Sequence, residues 1–178
     1  LVTGSPDYWL DVYTEQQEAP GRVFRIVLNM SASGGVASPI IIARGVATAV
    51  LAEILEMKGH TVEVIAADAA RKNGRVYEVY VTVKPAGLPI DFARLIFALA
   101  HPSTLRRLMF SWEEQEPPSI RSAFGFYNGG SYGYPVDCDE SRRGDIYLGK
   151  AFAGEPQWRN TESTIKWVLD QLRAQGVA

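Results

Sequence analysis

Phe24-Arg25-Ile26-Val27-Leu28-Asn29-Met30-Ser31-Ala32-Ser33-Gly34-Gly35 decides the fold. Residues 23–28 are apolar apart from Arg25, the pattern of a strand covered on both faces. The run then breaks into three small oxygen-bearing side chains and two glycines. Ser38-Pro39 follows as an N-cap with proline in the first turn, and the helix it opens is predicted to run to Lys58 and close at Gly59. Within that helix Val46, Ala47, Val50, Leu51, Ile54 and Leu55 form a broad apolar surface expected to lie on a sheet. Gly45 suits a close helix-to-sheet contact or a break in the helix. His60 to Ala67 reads as a second strand, so the unit is strand, helix, strand, with parallel strands and a right-handed crossover. Residues 29–33 then lie at the carboxyl end of a parallel strand, where open α/β sheets keep their ligand sites.

Working outward, residues 8–13 are aromatic and β-branched enough for a strand that hairpins into residues 22–29 through Pro20-Gly21. Lys72 to Arg75 is a turn. Val76 to Lys84 alternates Tyr77, Val79, Val81, Val83 against Glu78, Tyr80, Thr82, Lys84, which predicts an antiparallel edge strand with one wet face. Asp91 caps a helix carrying Phe92, Leu95, Ile96 and Leu99, and His101-Pro102 ends it. Ser103 caps the next helix, from Thr104 to about Trp112, before the stop at Pro117-Pro118. Residues 119–144 read as a long loop excursion. Residues 145–148 form a brief strand, and Asn160 caps a last helix to Gln175 with Ile165, Val168, Leu169 and Leu172 inward. The expectation is a single α/β domain over residues 1–178, with residues 1–21 as an N-terminal hairpin extension. It has three layers: a mostly parallel central sheet, an antiparallel edge strand, and helices on both faces. The sequence opens on Leu1, not Met, which suits a piece of a longer protein.

Composition narrows the function classes. The 178 residues are 47% hydrophobic and carry 18 basic against 20 acidic side chains, a net charge of −2. No overall field is there to hold nucleic acid or an anionic membrane. The single cysteine, Cys138, excludes an intramolecular disulfide and a thiolate zinc cage, and reads as an ordinary turn residue. No uninterrupted apolar stretch is long enough to span a bilayer. A cytoplasmic or virion-associated protein fits this balance.

The element order, with Asn29-x-Ser31-x-Ser33 at the end of the first strand, resembles the von Willebrand factor A-like fold over roughly residues 22–172. In that family the motif is Asp-x-Ser-x-Ser, whose oxygens form part of a metal-ion-dependent adhesion site completed by a later Thr and often a later Asp. The resemblance implies Asn29, Ser31, Ser33 and Thr104 as the metal positions, with Ser103 as an alternative to Thr104. Asn29 stands where the family has a carboxylate, and the strand at residues 145–148 leads into Gly149-Lys150 with no Asp. Hard cations favour charged oxygens, so the implied site is degenerate, holding Mg²⁺ weakly or holding no cofactor. The competing local reading has Asn29 and the serines satisfying turn amides.

His101-Pro102-Ser103-Thr104-Leu105-Arg106-Arg107-Leu108, with Arg44-Gly45 and residues 51–64, also resembles a group of tailed-phage and prophage proteins, a likeness that assigns no activity. Arg106 and Arg107 can grip phosphate or carboxylate, or pair with Glu113, Glu114 and Glu116. The aromatic stretch with Phe126, Tyr127 and Tyr132 suits a partner-binding loop. Asp137, Asp139 and Glu140 lack calcium-loop spacing and read as a solvated acidic turn. These features predict a non-enzymatic protein-binding or assembly module, phage-encoded, infected-host cytoplasm included. Its rim comprises the first loop, His101, Ser103, Arg106, Arg107, Phe126, Tyr127 and Tyr132. The alternative class is a serine hydrolase using Ser31 or Ser33 with His101 and Asp91 or Asp137 as orienter, although Ser-Ala-Ser-Gly-Gly is not a nucleophile elbow. His60 falls at the opposite end of the sheet.

Overall fold

A computed structural model describes residues 21–126 and 131–174. The elements run β1 (Val23–Asn29), α1 (Ser38–Met57), β2 (Thr61–Lys72), β3 (Arg75–Lys84), α2 (Phe92–Ala100), a π-helical turn (Thr104–Met109) running into α3 (Phe110–Gln115), α4 (Pro118–Phe124), β4 (Tyr134–Pro135), β5 (Ile146–Leu148) and α5 (Thr161–Ala174). β1 pairs in parallel with β2 from Val23 opposite Thr61 to Asn29 opposite Ala67, and its other edge takes β5 in parallel over Ile26 to Leu28. β2 and β3 form an antiparallel hairpin around Asn73-Gly74, whose φ values of 50° and 73° are those of a primed two-residue turn. The order is β3-β2-β1-β5, with β3 at the edge, and β4 pairs antiparallel with β2 beyond the end of β1. The sheet is therefore mixed: β1, β2 and β5 run parallel, β3 and β4 run antiparallel to them, and the 119–144 stretch, expected as a loop, contributes β4 and most of α4.

The helices gather on one face. Ile26, Leu28, Val62, Val64, Val79, Ile146 and Leu148 pack against Ala52 and Leu55 of α1, Leu95 and Leu99 of α2, Leu105 and Met109, and Val168 and Leu172 of α5. On the other face Val27, Ala67 and Ala69 are covered by Val136 and Cys138, with Tyr80 and Tyr147 alongside. Among the described residues no α-helix lies there, so the expected third layer is an irregular segment with one 3₁₀ turn, Glu140–Arg142. An apolar strand demands cover on both sides, but any apolar segment satisfies the demand. Cys138 is one of the covering residues, fully buried, and not a turn residue.

Several faces are turned from their expected directions. α1 begins at Ser38 itself, capped by Ala37 without a side-chain bond. It buries Ile40, Ile41, Thr48, Ala49, Ala52 and Leu55, while Val50 and Ile54 face outward. Thr48 goes inward because its hydroxyl donates to Arg44 O at 2.9 Å, which removes the cost of burying it. Gly45 serves a helix-to-helix approach: a Cβ there would lie 2.2 Å from Leu99 O at the end of α2. α5 is capped by Asn160, whose side chain accepts from Ser163 N at 2.8 Å. It turns Val168 and Leu172 inward, but leaves Ile165 and Leu169 exposed. In β3 a register slip opposite Val64/Ile65 swings Lys84 off the wet face onto the helical one, where it donates to Val62 O (2.7 Å) and pairs with Glu56 (2.5 Å). Residues 8–13, expected to hairpin with β1, lie outside the described residues, and over Ile26–Leu28 both edges of β1 are already taken.

Candidate functional site at the carboxyl ends of the parallel strands

β1 and β4 meet β2 end to end, and the first loop fills the break between them. Asn29 is the last residue of β1, and Met30 N still donates to Ala67 O (2.7 Å). The Ala69 amide, next on that edge, donates to the Ser31 hydroxyl at 2.6 Å, and Ala69 O accepts from Val136 N at 3.0 Å. The Ser31 hydroxyl in turn donates to the Asp68 carboxylate. Ser31 thus completes the ladder at the hand-over between two strands.

The other three residues implied as metal ligands are also committed within the fold. Asn29 donates its amide to Val136 O (2.8 Å) and the Tyr147 hydroxyl (3.0 Å), and its Oδ1 accepts from Ser31 N (3.0 Å). A carboxylate at that position has no hydrogen to offer Val136 O, which is a physical reason for an amide here. Ser33 Oγ accepts from Ala153 N at 2.8 Å, and the neighbouring backbone extends the β1–β5 ladder through an Ala32–Ala151 bridge. Thr104 donates to Phe97 O at 3.0 Å, within its own helical connection. Among the described residues no group of three or more His, Cys, Asp or Glu side chains is placed to hold a metal ion.

Two charged networks escaped the sequence reading. Arg44, buried in α1, donates to Asn29 O (2.9 Å) and to Gly149 O, and its guanidinium lies 4.9 Å from the Trp158 ring centre. Desolvation lowers its pKa to about 10, so it stays protonated at neutral pH and ties the carboxyl ends of β1 and β5 together. Behind Ser31, Asp68 stands beside Glu113, which is 1% exposed with neither carboxylate oxygen accepting from a donor. Burial first, and Asp68 second, push Glu113 up to about 9, and burial raises Asp68 as well. At neutral pH Glu113 therefore holds its proton. Glu113 follows Leu105 and Met109 at four-residue intervals, so helical spacing marks it as inward. Asp68 stands in a run of small apolar residues, Ala66-Ala67-Asp68-Ala69-Ala70, which signals a buried strand longer than the one expected to end at Ala67.

In front of this floor opens a cleft of about 530 Å³, lined by Ser33, Gly34, Arg106, Phe110, Tyr132, Tyr134 and Phe152. Tyr132 stacks on Phe110 (centroids 3.9 Å, 4° between planes) and donates to Glu114, and that hydrogen bond, with burial, pushes its phenol up to about 12. Arg106 donates to Val36 O at 2.6 Å, and neither it nor Arg107 forms an ion pair with Glu113, Glu114 or Glu116. Lys72 donates to Gly125 O (2.7 Å) and Ser131 O, fixing the cleft wall to β2.

Of the residues expected at the rim, the cleft brings together the first loop, Arg106 and Tyr132. Phe126 does not join them: it is buried at 1% exposure and packs on Phe124 and Tyr77. Tyr127 lies outside the described residues. Arg107 is exposed, and Ser103 N donates to the Nδ1 of the exposed His101 at 3.2 Å. His101 makes no hydrogen bond with Ser31 or Ser33; the group that meets Ser31 is a carboxylate. Asp137 accepts from Lys150 N and the Tyr147 hydroxyl, and Asp139 caps the 3₁₀ turn through Ser141 N, so the expected acidic turn is internally bonded. No described helix is long and apolar enough to cross a membrane. No curated protein and no solved structure matches the chain. A family model described as a domain of unknown function, DUF7192, matches residues 1–178.

Proposed function

The chain belongs to the DUF7192 family, and we propose that it is a non-catalytic protein-binding or assembly module of a von Willebrand factor A-like kind, taking its partner in the cleft at the carboxyl ends of β1 and β2. The observation that carries this reading is the lining of the cleft: four aromatic rings, Phe110, Tyr132, Tyr134 and Phe152, around one cation, Arg106. Such a surface offers large contact area at low entropic cost, and the guanidinium selects a carboxylate or a run of carbonyls. The order β3-β2-β1-β5 with the Asn-x-Ser-x-Ser turn at the end of β1 supports the von Willebrand factor A-like part of the reading. The likeness of residues 101–108 to tailed-phage and prophage proteins supports a phage-encoded module, in the bacterial cytoplasm or on the virion.

Cation binding at the first loop is weak in this reading, because Asn29 Oδ1, Ser31 Oγ and Ser33 Oγ already accept backbone amides. Millimolar Mg²⁺ is expected to move the thermal midpoint by less than about 1 °C, whereas a cation bound a hundredfold above its Kd adds about 2.7 kcal/mol. A rise of several degrees that Ser31→Ala abolishes would install a metal site and displace this part of the reading. The partner site itself is tested by placing a photo-crosslinking side chain at Tyr134 and, as control, at Val76 on the exposed edge of β3. Adducts that form in native cells at Tyr134 alone, and fall at least tenfold with Arg106→Glu, support it. Equal labelling at both positions sinks it.

A further inference from the structure

α1 and α5 leave an apolar groove of about 730 Å³ between them, on the side away from the sheet. Both helices follow the carboxyl ends of parallel strands, β1 and β5, and pack on the same face of the sheet. They therefore run side by side in one direction, from Pro39 and Thr161 at one end of the groove to Lys58 and Leu172 at the other. Along α1, Ile42, Val46, Val50 and Ile54 recur at four-residue intervals and form a raised apolar row, and Ile165 and Leu169 form a second row on α5. All of these but Val46 are between 38% and 44% exposed. Ala43 and Ala47 also line the groove, and their small side chains leave depth for an incoming row. A continuous apolar surface of this kind on a folded domain marks a docking site. We infer that its occupant is a second copy of this chain, which lays its own Ile42–Ile54 row in the groove and offers its groove in return.

Three observations select a second copy. First, the surface is complementary to itself. An isologous contact about a twofold axis needs ridge and groove on one patch, and α1 supplies the ridge beside the groove it helps to form. With Lys58 as its fifth member the row is centred on Val50, so the axis crosses α1 there. Second, the charges agree. Lys58 is the only charged residue lining the groove, and Glu162, exposed three residues before Ile165, stands at the opposite end. Neither side chain forms an ion pair among the described residues. A twofold axis across the helices reverses their direction, so each copy's Lys58 end meets the other's Glu162 end, and a net charge of −2 leaves little repulsion between copies. Third, the area suffices. Helices of 20 and 14 residues lying side by side present a face of ~25 Å by ~20 Å, ~500 Å² per copy and ~1,000 Å² per pair, the lower bound of a specific interface. The dimer is accordingly weak and reversible. The groove shares no lining residue with the cleft, so the pair presents two clefts at once.

The test uses the full chain. In sedimentation equilibrium the protein is expected to be monomeric at about 1 µM and mostly dimeric at about 500 µM, the range an interface of this size sustains. Val50→Asp places a charge in the groove at an already exposed position, and it is expected to raise the Kd of the dimer at least tenfold while the far-ultraviolet spectrum stays unchanged. A monomer at the higher concentration, or a dimer indifferent to Val50→Asp, overturns the inference. Val50→Cys locates the axis directly and decides the matter if Val50→Asp fails to fold. Mild oxidation is expected to join two Val50→Cys copies at least tenfold faster than two Leu88→Cys copies, whose cysteine sits on the exposed β3–α2 connection. The native Cys138 is buried and does not compete. Equal rates overturn the inference.

Discussion

Asn29 and Glu113 show how a single atom type fixes a position. Asn29 donates two hydrogen bonds that a carboxylate cannot make, so Asn29→Asp leaves Val136 O unpaired and sets a charge against it. We expect a loss of about 2–4 kcal/mol in urea denaturation, with no recovery in Mg²⁺. Recovery would mean that the loop is a cation site one residue from completion. Glu113 supplies a prediction in pH. A carboxyl raised in the folded state binds its proton more tightly there than in the unfolded chain, so its stabilising effect is complete below the ordinary value of 4.5 and is lost as pH climbs to about 9. The urea midpoint should therefore fall steadily between pH 5 and 9, and Glu113→Gln, which imitates the protonated acid, should flatten that slope. An identical slope in the variant would place the titration elsewhere.

Between elements the deciding contact is α1 on α2. Gly45→Ala gains about 1 kcal/mol of helix propensity but drives a methyl to 2.2 Å from Leu99 O, so the two helices must separate. A net loss of about 2–4 kcal/mol is expected in denaturant unfolding, and a stabilised variant would contradict the packing. This level also divides what could be read in the sequence from what could not. The β1–α1–β2 unit and the β3 edge were legible because apolar periodicity, Pro39 and Asn73-Gly74 all act locally. The inward face of α1 was not, because Thr48 is buried through a bond to its own helix while Val50 and Ile54 face α5, and periodicity alone cannot rank two apolar faces. Lys84 was misplaced by a bulge that leaves no mark in an alternating pattern. At the site, the turn at residues 29–33 was legible from its position. Asp68, Arg44 and Glu113 were not, since each answers to an unpaired group supplied by a distant part of the chain.

Over the whole molecule, the two faces of the sheet are unequally defended. One is packed by four α-helical or π-helical elements, the other by an irregular stretch held through Asn29, Tyr147 and Arg143. Native-state hydrogen exchange is expected to show the Val136 and Cys138 amides opening at least tenfold more often than those of Ile26 and Val64. Equal protection would mean that the loop and the sheet open as one cooperative unit. The pairing of β1 with β5 also sets a schedule for synthesis. Arg25 meets Asp145 across 120 residues, so a ribosome adding about 5–20 residues per second leaves that edge of β1 bare for roughly 6–24 s. The nascent chain thus carries an apolar strand with one edge open while those 120 residues are added, and that edge closes only when Asp145 and β5 have emerged.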